Sequence, residues 1–122
     1  MLAAWVRQTC LAFPHVTETV QWGNDLVFKV AGKMFAVAAL EPDDHAVSFK
    51  CTPEEYVELI ERPGVVPAPY LARAYWVALE TAGALPKPEL RRLLRKAYDL
   101  VVAKLPKKTR EALAAGDSAP RP

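Results

Sequence analysis

Side chains that do chemistry are scarce in this chain. It has two histidines, His15 and His45, and two cysteines, Cys10 and Cys51. Both cysteines sit in apolar stretches, and a Cys–His pair would need one of them exposed as a thiolate. Two lone cysteines outside any motif read as buried thiols of a reducing compartment, not as a disulfide frame. Five glycines are scattered and form neither GxGxxG nor GxxxxGK, so the usual backbone cradles for nucleotide phosphates are missing. No run approaches the ~18 uncharged apolar residues that a membrane helix needs. The opening MLAAWVRQTCLAF lacks a basic leader and is broken by Arg7, unlike a secretory signal. EPDDH (41–45) offers Glu41, Asp43, Asp44 and His45, but neighbouring loop residues with no distant partner read as a solvated turn, not a metal site. The expectation is a cytoplasmic protein with no cofactor, no metal, no membrane segment and no assembled catalytic set.

What is present suits a globular domain. The 122 residues are 52% hydrophobic and 25% charged, and a chain of this length buries roughly two-thirds of its unfolded surface. Eleven prolines gather at 63–69, at 86–88 and at the end, where they mark boundaries. The net charge of +2 conceals an asymmetry: residues 1–86 hold six Lys/Arg against ten Asp/Glu, and residues 87–122 hold ten against four. A basic final third suits an anionic partner and equally suits a solvated face.

Helical spacing of Leu2, Trp5, Val6, Thr9, Cys10 and Phe13 predicts a helix over 2–13, stopped by Pro14. A strand-rich block follows: TVQW (19–22), a turn at WGND (22–25), LVFKV (26–30), an Ala31-Gly32 hairpin connection, KMFAVAAL (33–40), a polar loop and VSFKC (47–51). TPEEYVELIER (52–62) is a helix with Thr52 as N-cap, Pro53 at the first position and Glu55 closing a capping box. After the proline loop 63–69 and a helical turn at 70–73, YWVALE (75–80) reads as a strand with Tyr75, Val77 and Leu79 inward and Trp76 outward. Residues 87–105 are a long amphipathic helix with Arg91, Arg92, Arg95 and Lys96 in its N-terminal half. Arg91 and Arg92 lie in the opening turn, where the helix dipole disfavours cations by some tenths of a kcal/mol each. From 106 the chain reads as a frayed, partly disordered tail. The fold class is α+β: two layers, a twisted antiparallel sheet of about five strands packed against helices, with one domain over 1–106 and the tail at 107–122.

Three segments, WGNDLVFKVAGKMFAVAAL, VSFKCTPEEYVELIERPGVVPAPYLARAYWVALE and LRRLLRKAYDLVVAKLPKKTR, together resemble the MmcQ/YjbR family of small bacterial proteins over roughly residues 10–110. The most specific pieces are the hairpin return from Gly32 to Ala36, the PAPYLAR loop leading to Trp76, and the closing AYDLVVAKLPKK. The resemblance implies a fold similar to the bacterial frataxin CyaY and a DNA-binding role. Frataxin-type iron handling uses an acidic ridge, and the first helix here has no acidic residue, so that activity is not carried over.

On this basis the candidate contacts to nucleic acid are Lys33, Lys50, Tyr70, Arg73 and Trp76, with Arg92, Arg95 and Lys96 of the helix stripe: cations for phosphate, rings for stacking. Two arrangements of the aromatic cluster stand open. Either Trp76 faces solvent beside Lys29 or Lys50, or Tyr70 and Trp76 are covered by the tail or the first helix. DNA or another nucleic acid is the leading partner class and a monomer is expected. A protein adaptor and a small-ligand domain with a pocket under the 63–73 loop are the alternatives.

Overall fold

The structure, a computed structural model, describes residues 2–41, 45–69 and 71–114. Helix α1 (Leu2–Leu11) buries Ala3, Val6, Thr9 and Cys10, the face that its spacing predicts. Strand β1 (Val16–Gln21) begins three residues before the expected TVQW, because the whole segment pairs with β2 (Asp25–Val30), from Val16↔Val30 to Gln21↔Asp25. A two-residue turn joins β2 to β3 (Lys33–Ala39). Ala31 and Gly32, at φ 51° and 80°, both take the left-handed conformation that such a hairpin demands. Between β2 and β3 the register slips: Phe28 faces Ala36 and Lys29 faces Met34, so Phe35 is an extra, bulged residue. The bulge lets the consecutive Phe35 and Ala36 both reach the core.

Strand β4 (Val47–Lys50) alternates as predicted, with Val47 and Phe49 buried. Helix α2 (Pro53–Leu59) carries the expected capping box: Thr52 Oγ1 accepts from the Glu55 N–H at 3.0 Å, and the Thr52 N–H donates to Glu55 Oε1 at 3.0 Å. The chain then forms β5 (Val65–Pro67), a strand hidden within the proline loop, and β6 (Trp76–Leu79). The sheet therefore has six strands, one more than expected, in the order β1-β2-β3-β4-β6-β5, and every neighbouring pair is antiparallel. The long helix α3 (Lys87–Ala103) buries Leu90, Leu93, Leu94, Ala97, Tyr98 and Val101.

Helices α1 and α3 lie on one face of the sheet, over a core that includes Phe28, Phe35, Phe49, Leu79, Leu90 and Leu94. Tyr98 stacks edge-on against Phe35, with ring centres 5.6 Å apart, and its hydroxyl donates to the Pro14 carbonyl at 2.7 Å. That bond ties the segment after α1 to α3 and satisfies a hydroxyl at the core's margin.

Two expectations need correction. The stretch after 106 is not simply a frayed tail: Lys107–Ala114 form a helix, α4, and Leu113 packs against the main core. Residues 115–122 lie outside the described residues. Tyr75 does not face the core. It sits at φ 61°, one residue before β6, and is 42% exposed. Its carbonyl accepts the Cys51 N–H at 2.8 Å, and its ring meets Tyr56 edge-on at 5.7 Å.

Candidate functional site

The face of the sheet away from α1 and α3 carries a second, smaller apolar cluster. Trp76, Val27, Val37, Ala78 and Ala68 are buried there, with Met34, Val66 and Leu71 packed alongside. Strand parity explains the set: Val77 and Leu79 go to the main core, so Trp76 and Ala78 must point the other way. The sequence reading had the parity of Trp76 right and left its exposure open; the structure decides for the covered arrangement. The ring is only 3% exposed and cannot stack on a base. Among the described residues, what covers it is the chain just upstream. The Ala68 N–H donates to the Trp76 carbonyl at 3.0 Å and the Trp76 N–H to the Leu71 carbonyl at 3.3 Å, which packs Ala68 and Leu71 back over the indole.

The other candidate residues separate into two groups. Lys50 and Arg73 come together. The Lys50 ammonium donates to the Ala74 carbonyl at 3.0 Å, directly beside Arg73 on the single 3₁₀ turn Ala72–Ala74. Burial first, and the nearby Lys104 ammonium second, hold Lys50 below the usual lysine range. Lys104 follows the last residue of α3, so the helix layer contributes a cation to the same end of the molecule. Lys33, exposed at the β2–β3 turn, shares this end, because β3 starts where the antiparallel β4 finishes. Among the described residues no carboxylate lies in ion-pair range of Lys33, Lys50, Arg73 or Lys104. Tyr70 lies outside the described residues.

The second group sits on α3, in the opposite layer. Arg95 is committed: it donates to Asp99 at 3.1 Å, and its guanidinium lies 5.5 Å and 5.2 Å from the ring centres of Phe13 and Tyr98. Arg91 and Lys87 lie over the Trp5 ring in the same way. Glu89 is held below the usual carboxylate range, chiefly by a two-point hydrogen bond from Arg62 at 2.7 and 2.9 Å. Arg92 approaches this pair only at 3.9 Å and stays exposed, as does Lys96. Much of the basic stripe is thus a packing device that clamps α1 and the 62–64 turn to α3. Arg92 and Lys96 are its outward members.

A groove lies on the open face, bordered by the 63–73 loop under which the small-ligand alternative expects a pocket. It has a volume of about 640 Å³ and a floor of Met34, Val37 and Ala39. Ala68 and Leu71 wall one side, and Trp22, Asp25 and Glu41 stand at the other end. Trp22 is 62% exposed, on a backbone at φ 51°. One signal in the sequence pointed this way: FAVAA (35–39) is apolar without alternation, the mark of a strand covered on both faces. Both thiols are buried, and burial pushes Cys10 and Cys51 up to about 12. Among the described residues no cluster of three or more His, Cys, Asp or Glu is placed to hold a metal ion, and no helix is long and apolar enough to cross a membrane.

These features define a small α+β protein whose antiparallel sheet carries helices on one face and a short folded-back loop on the other. The YjbR family model matches residues 11–100, and the chain belongs to that family. It is 30% identical over 117 residues to the "Uncharacterized protein YjbR" of Escherichia coli K12, covering 93% of this chain and 98% of that protein. It is similar to the crystal structure of Deinococcus radiodurans DR2400, a DUF419 domain, at 31% identity and a TM-score of 0.81, over 92% of this chain and 87% of that one. A Pseudomonas syringae structure matches at a TM-score of 0.59 and 20% identity, over 70% of this chain and 86% of that one, and shares the fold alone.

Proposed function

We propose that the protein is a non-catalytic nucleic-acid-binding domain that grips phosphates with the cationic end of its sheet. Lys50 and Arg73 form the centre, and Lys33 and Lys104 flank them. One observation carries this reading: Lys50 is held beside Lys104 and against the turn bearing Arg73, with no described carboxylate among them. Like charges gathered without counter-charge repel one another, and a polyanion relieves that repulsion. Trp76 takes no part, since its ring is covered, so affinity comes from phosphate contacts and sequence preference is weak.

The test is fluorescence anisotropy of labelled single- and double-stranded DNA at about 50 and 200 mM salt. Three to four phosphate contacts on a duplex predict a loss of roughly 40- to 150-fold between those conditions. Arg73→Ala and Lys50→Ala should each lower the salt slope by about one. Arg73 is exposed, so its substitution should change stability by no more than about 0.5 kcal/mol. No binding at the lower salt, or binding that both substitutions leave unchanged, overturns the proposal.

A further inference from the structure

The groove on the open face runs along β3 from Met34, next to Lys33, to Ala39, and the end away from the lysines is acidic. Its volume of about 640 Å³ falls within the usual range for small-molecule sites, roughly 300–1,000 Å³. The floor is apolar. At one end stand the carboxylates of Asp25 and Glu41, beside the exposed Trp22, and the lining also includes the His45 imidazole and the Ser48 side chain. Among the described residues neither carboxylate has a cationic partner. Among the described residues, Glu41 accepts one long bond, 3.3 Å from the Asn24 amide. Next to Asp25, its cross-strand neighbour Gln21 leaves Oε1 buried with no donor. Partial burial also raises the Asp25 carboxyl above its ordinary value, as expected for a carboxylate short of donors.

We propose that this groove binds an organic cation: an ammonium or guanidinium group carried on a flat apolar body. The apolar body lies on Met34 and Val37. The cation reaches Asp25 and Glu41 and meets the face of the Trp22 ring, where a quadrupole attracts positive charge. Trp22 is held in the left-handed region, uncommon for a bulky residue. Its Gly23 neighbour, at φ 89°, lets the hairpin turn there and present the indole at the groove's mouth. Among the described lining residues stand two carboxylates and, besides the His45 imidazole, no basic side chain, so the groove disfavours the phosphates that the other end of the sheet attracts.

The shared chemistry has two sources, a free small molecule or the side chain of an arginine-containing peptide, and two probes separate them. Benzamidine stands for the first and acetyl-Gly-Arg-Gly-amide for the second, with benzamide and benzoate as neutral and anionic controls. Binding is followed by amide and indole shifts in two-dimensional NMR of the full chain. Benzamidine should move the Trp22 indole N–H and the Met34 and Val37 amides, with a Kd on the order of 1 mM for so small a ligand. Benzamide should bind at least about tenfold more weakly, and benzoate should leave the groove unmoved. Asp25→Asn should weaken benzamidine about tenfold or more, and Trp22→Ala should weaken it several-fold. Trp22 is exposed, so its variant keeps the fold even if Asp25→Asn does not. Stronger shifts with the peptide assign the site to a peptide side chain, and stronger shifts with benzamidine assign it to a small molecule. Equal shifts by all three small probes, or none with either cation up to about 10 mM, overturn the proposal. Arg73→Ala should leave benzamidine binding untouched, so this site fails or stands independently of nucleic-acid binding.

Discussion

Substituting Trp76 by alanine tests the reading of the open face most directly. A tryptophan buries about 150–250 Å². Withdrawing all but its Cβ from contact, at roughly 25 cal/mol per Å², removes about 3–5 kcal/mol, the range seen for large-to-small core substitutions. The cover over Trp76 includes the small Ala68 and the half-buried Leu71, which can settle partly into the space left behind, so the lower half applies, about 3–4 kcal/mol. In a domain whose whole stability is roughly 5–15 kcal/mol the variant still folds. At roughly 4 °C per kcal/mol its melting temperature should fall by about 12–16 °C. Urea unfolding followed by far-ultraviolet circular dichroism is the suitable assay, because it does not depend on the indole removed. Trp22→Ala, on an exposed ring, should shift the midpoint by no more than about 0.5 kcal/mol in energy. A loss below about 1 kcal/mol for Trp76→Ala, with an unchanged urea slope, would show that the indole is not covered in solution.

Two further outcomes follow from the elements around the core. Thr52→Ala removes the N-cap acceptor of the Glu55 N–H and should cost about 1 kcal/mol in urea unfolding, with Thr52→Ser recovering most of it. The folded state holds the Cys10 and Cys51 thiols protonated up to about 12, whereas the unfolded chain releases those protons from about pH 8.5. The folded state binds more protons in that window, so stability falls as pH rises through it. Stability measured at about pH 7 and about pH 10 should drop less in a Cys10→Ala, Cys51→Ala double variant; an equal drop would remove the thiols from the account.

The inward face of α3, the capping box of α2 and the alternation of β4 were all legible in the sequence, because each rests on local spacing that packing reinforces. Strand β5 was not. Val65, Val66 and Pro67 are too few to show a period, and only pairing with β6 makes them a strand. Helix α4 was hidden by its composition: in KKTREALA only Leu113 reaches the core. The parity of Trp76 was readable, but what lies above it was not, since that depends on a loop doubling back. Lys50 and Arg73, 23 positions apart in sequence, were named without any sign that they are neighbours, and the structure ties Lys50 to the carbonyl of Ala74, the residue after Arg73. Trp22 was read as a turn residue, which it is, and its place at the mouth of a groove depends on three strands and a loop that no local pattern links.

The two borders of the sheet are unequal. At one, β5 has three residues and ends in Pro67, too short and too poor in donors to template another strand. At the other, β1 is six residues long, with Val20 more than half exposed and no strand on its outer side among the described residues. In its middle sits Glu18, gripped by Arg7 through two bonds of 2.7 and 2.8 Å. An exposed ion pair of this kind adds little to folding. A charge fixed in mid-strand serves instead as a gatekeeper that denies a second chain a flat, apolar line along which to align. The guard on this border bears on how the protein behaves in a crowd of its own copies more than on how firmly one copy is folded.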